Sequence, residues 1–350
     1  MDINTKREFI LQWHITHRCN LRCRHCYQND YAAFTSRQEM ESVLDQFDEL
    51  LSACGFRGHI NITGGEPMLH PELFWLLQQA KRRSVSTAVL TNGTLIGLRE
   101  ARMLKASGVS YVQVSLDGTR KTHDMIRGEG SFEQAAEGII ALRSQGIFTS
   151  VSFTAQKNNL RQLKKLAEVC NQLGADMLWF DRVIIPAEED IHGLALSAAE
   201  YKRLCKTAAR LSKNGIVTCG RALQFIPCRE KHIYKCTAGD TLLALLADGT
   251  VMPCRRLPLI AGNIKDESLL NIYRKSPVLQ RLRALEIPDG CKACKYKEMC
   301  RGGSKCAAYA KTGRYDTADP DCCRLSRERD ARPGPRFVTS YNSFLQFPAL

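Results

Sequence analysis

No apolar run in this 350-residue chain reaches the roughly eighteen residues needed to cross a bilayer. Residues 1–20 alternate polar and apolar side chains without the apolar core of a signal peptide, so no membrane span and no secretion signal are expected, and the chain should stay in the cytoplasm. Internal repeats and low-complexity tracts are missing as well, which removes solenoid and linker architectures. Also missing is an aromatic platform among the basic residues. Lys and Arg number 50 against 36 Asp and Glu, a formal charge of +14. Yet clusters such as Lys81-Arg82-Arg83 sit on helix-like segments without the interleaved rings on which single-strand binders stack bases. The balance argues against nucleic acid and for an acidic peptide or leader segment as the electrostatic partner.

Cysteine, by contrast, is plentiful. Sixteen cysteines without a secretion signal argue against a disulfide framework, because cytosolic thiols are kept reduced, and they point to metal. Metal-bound thiolates also return negative charge to a basic chain. The remaining composition, 44% hydrophobic and 25% charged, is that of an ordinary soluble protein long enough for one large barrel or two domains.

From residue 9 to about 215 the hydrophobic period switches regularly between two and 3.6. Strands are expected at 9–16, 59–63, 85–91, 109–116, 147–154 and 177–185. Helices are expected from 36 on, with Ser36 and Glu39 placed as a capping box, and at 71–82, 98–107, 132–145, 159–173 and 197–213. Six strand–helix units imply a parallel sheet, because each helical crossover returns the chain in the same direction. A barrel and a doubly wound sheet fit this alternation equally well. Near residue 219 the periodicity weakens and cysteines become dense, so 1–215 and 216–330 read as two domains, with 331–350 as an extension ordered only by docking.

Cys19, Cys23 and Cys26 form a C-x3-C-x2-C loop directly after the first strand, within His17-Arg18-Cys19-Asn20-Leu21-Arg22-Cys23-Arg24-His25-Cys26-Tyr27. A four-iron cluster takes four ligands and this loop supplies three, leaving one iron open for a group that is not protein. Zinc, which prefers four protein ligands and C-x2-C pairs, and three buried thiols are the alternatives. The second strand ends in Thr63-Gly64-Gly65-Glu66-Pro67, where the glycines allow close backbone approach and Glu66 offers an acceptor for an ammonium. Polar groups recur at later strand ends, in Thr91-Asn92-Gly93 and Ser115-Leu116-Asp117-Gly118, with His123-Asp124 and Arg127-Gly128 in the next loop. Each of these also reads as a turn former or a cap, Asp117 above all.

The C-terminal part carries Cys228-x7-Cys236, Gly249-x4-Cys254, Cys291-x2-Cys294-x5-Cys300-x5-Cys306 and Cys322-Cys323. That number of cysteines around one C-x2-C nucleus suits two four-cysteine clusters or two structural zinc sites. Cys54, Cys170 and Cys205 lie on apolar helix-like faces without partner spacing and read as dispensable core residues.

Taken together, the cysteine loop and the GGEP turn one strand later resemble the radical S-adenosylmethionine (SAM) superfamily, with His25 at the usual aromatic position. The later array resembles the SPASM auxiliary-cluster domain of radical SAM peptide and protein maturases. The resemblance implies a partial (β/α)6 TIM barrel followed by a small, irregular cluster-binding SPASM domain. It implies that SAM chelates the open iron, with Gly64, Gly65, Glu66 and Pro67 holding its methionine amine. Asn92, Ser115, Asp117 and Arg127 complete the cofactor site, Ser115 and Arg127 toward the SAM carboxylate and ribose. One auxiliary 4Fe–4S cluster would take Cys228, Cys236, Cys254 and Cys306, the other Cys291, Cys294, Cys300 and either Cys322 or Cys323. Two residues are inserted before Cys306 relative to the family pattern, and Cys219 is an alternative ligand.

The activity implied is reductive cleavage of SAM to a 5′-deoxyadenosyl radical, hydrogen abstraction from a ribosomally made peptide, and oxidative cross-linking or modification. The alternatives are maturation of a tetrapyrrole or metalloenzyme cofactor, and, without catalysis, an electron-transfer or cluster-carrier module. Sulfatase-maturing relatives place an Asp after the G-x4-C cysteine as a base. Here that residue is Arg255, which cannot accept a proton, so formylglycine formation is not expected. An external donor such as flavodoxin or ferredoxin would supply electrons. With the first strand near residue 9 there is no room for an N-terminal recognition domain, so a separate leader-recognition protein, or the barrel and cluster domain themselves, would read any leader.

Overall fold

The structure, a computed structural model, describes residues 6–28, 30–185, 190, 193–213, 215–228 and 235–322, the side chains of Pro227 and Cys228 apart. The expected extension 331–350 and Cys323 lie outside the described residues.

Six long strands follow one another in parallel: β1 (Glu8–Thr16), β2 (Arg57–Gly64), β3 (Ser86–Thr91), β4 (Tyr111–Ser115), β5 (Thr149–Ala155) and β6 (Met177–Arg182), with a short β7 (Val217–Thr218) at the far edge. Helices α1 (Arg37–Cys54), α2 (Leu73–Arg82), α3 (Leu98–Ser107), α4 (Arg120–Arg127), α5 (Ser131–Ser144), α6 (Leu163–Gln172) and α7 (Ala198–Leu211) connect them. The sheet order β1-β2-β3-β4-β5-β6-β7 is sequential, and β1 and β7 do not pair. That is a partial barrel, since a doubly wound sheet would reverse direction at a switch point.

Local sequence explains the elements. Ser36 caps α1 in a reciprocal capping box with Glu39, and Gly55, at φ 68°, closes its C-terminus in the left-handed conformation. In β1, Phe9, Leu11, Trp13 and Ile15 are fully buried, in the same core as Met40, Val43, Leu44 and Phe47 of α1. Period two sends Gln12, His14 and Thr16 to the other, concave face. There the neighbouring strands are joined by polar side chains: His59 to Ser86 (2.8 Å), Tyr111 to Asn61 (3.2 Å), Trp179 to Gln113 (3.0 Å) and Ser152 to Ser115 (3.3 Å). A closed eight-stranded barrel fills its interior with branched apolar layers; this concave face is instead polar and partly open.

Two features depart from the sequence reading. Residues 120–127, read as loop, form α4, which carries His123 and Arg127 on its buried face. The cluster segment also shares the barrel's sheet. Its strand β8 (Leu242–Leu245) runs parallel to β1, with Ile10 opposite Leu242 and Trp13 opposite Leu245. Strands β9 (Thr250–Met252) and β10 (Gly262–Asn263) extend it antiparallel, so β8 covers the β1 edge that an incomplete barrel would expose. Short helices follow: α8 (Phe225–Cys228), before β8, then α9 (Leu269–Lys275), α10 (Pro277–Arg283), α11 (Lys297–Cys300) and α12 (Lys305–Thr312). No described helix is long and apolar enough to cross a membrane.

Candidate active site and cluster centres

The cysteine loop leaves the C-terminal end of β1 and is held from three sides. The Gly65 amide donates to Thr16 O (2.7 Å) and the Glu66 amide to Arg18 O (2.8 Å). A Cβ on Gly64, whose φ is 148°, would meet Thr16 O at 2.2 Å, and one on Gly65 would meet Arg18 O at 2.2 Å. The glycines of the GGEP turn thus serve a close approach to the start of the cysteine loop. The Arg24 amide donates to Ile126 O of α4 (2.9 Å), and the Asn92 side-chain Nδ2 donates to Asn20 Oδ1 (2.9 Å).

Glu66 is fully buried and accepts from the Met68 amide (3.0 Å), Thr91 Oγ1 (2.7 Å) and the Asn92 amide (2.8 Å). It locks the turn after β2 to the end of β3. Asp117, also fully buried, accepts from Arg127 Nε (2.6 Å) and the Thr154 amide (2.9 Å), and His25 Nε2 lies 3.7 Å from it. Although burial opposes it, the Arg127 guanidinium keeps the Asp117 carboxyl below its ordinary range. Arg127 spans to Cys23, with Nη1 3.8 Å from the sulfur. Burial pushes the Cys23 thiol up to about 11 against the pull of Arg127. Burial, aided by Arg127, lowers His25 to about 4, so it is a neutral imidazole. Sequence alone did not show that Asp117, Arg127, His25 and Cys23 form one chain of contacts.

Cys19, Cys23 and Cys26 influence one another electrostatically, and the Leu21 and Gln28 amides donate to the sulfurs of Cys19 and Cys26, each at 3.4 Å. The same kind of coupling sorts the later cysteines into two groups. Cys236, Cys254 and Cys306 act on one another; Cys228, expected with them, has its side chain outside the described set. Cys291, Cys294, Cys300 and Cys322 act on one another. Backbone amides of Ala238 and Lys305 serve Cys236, that of Arg256 serves Cys254 and that of Gly303 serves Cys300. Among the described residues no three side chains are already closed to metal-ligand spacing. The donor set is all thiol with amide support, which is what an iron–sulfur cluster takes. Cys219 is buried. Cys170 and Cys205 are buried core residues as expected, and Cys54 is partly buried against the core.

The segment after Cys254 crosses the barrel mouth. Arg255 lies over the ring of Tyr27, the residue after Cys26, with its guanidinium carbon 4.3 Å from the centroid. Arg256 pairs with Asp181 of β6 at 2.8 Å. Arg221 stacks over Trp179 at 4.4 Å. His14, fully buried, has no hydrogen bond to either ring nitrogen among the described residues; burial, then Arg255 and His17, lower it to about 3.

Residues 13–170 match the model of the radical SAM superfamily, and residues 236–296 that of the SPASM iron–sulfur cluster-binding domain. The chain is similar to the AdoMet-dependent heme synthase of Methanosarcina barkeri, 28% identical over 89% of this chain and 95% of that protein. It is as similar, at 28%, to the mycofactocin maturase MftC of Mycobacterium ulcerans, over 95% of this chain and 94% of that protein. In fold it resembles anSMEcpe with bound AdoMet (TM-score 0.75, 19% identity, 91% of this chain and 95% of that one). It also resembles Streptococcus suis SuiB bound to S-adenosylmethionine (TM-score 0.73, 17% identity, 91% and 77%). The chain carries a radical SAM domain followed by a SPASM domain, and it is an enzyme that uses SAM and 4Fe–4S clusters.

Proposed function

We propose that the chain is a cytoplasmic maturase of a ribosomally made peptide, which it cross-links or otherwise modifies oxidatively. Cys19, Cys23 and Cys26 hold the cluster that binds SAM. Cys228, Cys236, Cys254 and Cys306 hold one auxiliary cluster, and Cys291, Cys294, Cys300 and Cys322 the other. When bound, the first cluster and SAM supply the one-electron chemistry that yields a 5′-deoxyadenosyl radical. The chain's own residues position that chemistry: the Gly64–Pro67 turn and Asn92 fix the loop, Asp117 and Arg127 brace Cys23, and Ser115 faces the mouth for SAM.

The observation that carries this reading is the stacking of Arg255 on Tyr27. It sets the loop of Cys26 against the segment of Cys254 across a polar, partly open mouth, where an extended substrate can reach both. Two relatives named mycofactocin maturase support a peptide as that substrate. A flavodoxin or ferredoxin supplies electrons, and a separate protein or the enzyme's own surface reads any leader.

Three relatives are named AdoMet-dependent heme synthase, which favours a tetrapyrrole as the second reading. Anaerobic assays with deuterated substrates separate the two. A short peptide that raises 5′-deoxyadenosine formation and passes its deuterium into that product supports peptide maturation. A tetrapyrrole doing so, with no peptide effective, overturns it.

A further inference from the structure

The residues at the barrel mouth carry more positive charge than they neutralise among themselves. Arg182, Arg221 and Arg256 all act on one carboxylate, Asp181, and Arg256 pairs with it at 2.8 Å. Arg256 also faces Cys254 and Cys306, so its charge serves the cluster cysteines. Arg255 lies against Tyr27 and acts on His14, while Arg221 acts on Cys254 as well as on Asp181. Among the described residues Arg255 Nε is buried without a hydrogen-bond partner, and so are both ring nitrogens of the fully buried His14. The guanidinium of Arg221 stacks on Trp179 and makes no hydrogen bond or ion pair among the described residues.

A guanidinium held over an aromatic ring can still offer its N–H donors, and that donor fork fits a carboxylate. Leaving such donors unmade in a confined place is costly, and water or a ligand must satisfy them. Arg255 reaches the mouth from the SAM-cluster side and Arg221 from the β6 side, so a substrate acid between them would lie close to the reacting face.

We propose that Arg255, assisted by Arg221, binds a carboxylate of the substrate at the barrel mouth and so selects acidic substrates. That the substrate is a peptide rests on the proposed function; that it is an acid rests on these side chains alone.

The test is calorimetric titration of the reconstituted full-length enzyme, anaerobic and with SAM, using two blocked pentapeptides, Ala-Tyr-Glu-Tyr-Ala and its Gln counterpart. Wild type binds the Glu peptide about tenfold or more tightly than the Gln peptide, as expected for hydrogen bonds to a charged group. Arg255→Gln and Arg221→Gln each shrink that ratio toward one, Arg255→Lys retains part of it, and iron per chain stays constant in all three. Equal binding of both peptides by wild type, or an undiminished ratio in both Gln variants, would overturn the proposal. So would iron loss in Arg255→Gln, because the guanidinium would then be serving the cluster cysteines. A preserved Glu preference in an enzyme that turns over no peptide would support the acid site while removing the peptide reading.

Discussion

Arg182 of β6 and Asp319 of the C-terminal segment, 137 positions apart, form a fully buried ion pair that ties that segment to the barrel. Asp319 also accepts from the Ser304 amide, and Asp321 beside it receives Lys311 at 2.7 Å. Removing one partner of such a pair leaves an uncompensated buried charge. Arg182→Met should therefore cost roughly 3–5 kcal/mol, read from denaturant unfolding, while Arg182→Met with Asp319→Leu recovers much of it. An unchanged midpoint in the single variant would show that the pair does not tie that segment to the barrel.

Arg127 places a positive charge beside Cys23 and braces Asp117. Arg127→Gln removes a cation next to a cluster ligand, so the reduction potential of the SAM-binding cluster should fall and SAM cleavage should slow, by about tenfold or more. Potentiometric titration followed by electron paramagnetic resonance checks the direction. A potential that rises or does not move contradicts this role for Arg127.

In the proposed ligand set Cys322, which feels the charges of Cys291, Cys294 and Cys300, is the fourth member. Cys322→Ala should lower the iron content by about four atoms per chain, one cluster's worth. Cys170→Ala, in a buried apolar site, should leave iron unchanged. Equal iron in wild type and Cys322→Ala would pass the ligand role to Cys323.

His14 is held neutral, its pKa lowered from 6.5 to about 3 mainly by burial and secondly by Arg255. The unfolded chain then binds a proton that the folded one refuses. This contribution is fully present above pH 6.5 and lost as pH falls toward 3. Comparing urea midpoints at about pH 7 and pH 5, wild type should lose more stability than His14→Gln. Parallel losses would show that His14 is protonated in the fold.

How far the sequence foretold this molecule follows from which signals are local. The alternation in β1 and the Ser36–Glu39 capping box act within a few residues, and both elements form where they were expected. The cysteine spacing and the Gly64-Gly65 turn were legible because backbone proximity demands those residue types. Helix α4 was not, because its residues follow a turn and read as a polar loop. The pairing of β8 with β1, 232 positions apart at Ile10 and Leu242, leaves no local trace. Nor does the sequence show that Arg127 turns to Cys23, or that Arg255, noted only as the residue that stands where an Asp base is expected, stacks on Tyr27.

The most direct test is the mass of the candidate peptide encoded nearest this gene, after anaerobic co-expression with wild type and with Cys23→Ala. A mass lower by about 2 Da with wild type only, the mark of a two-electron oxidation, is the predicted result. An unchanged mass with wild-type enzyme shown to cleave SAM would contradict peptide maturation.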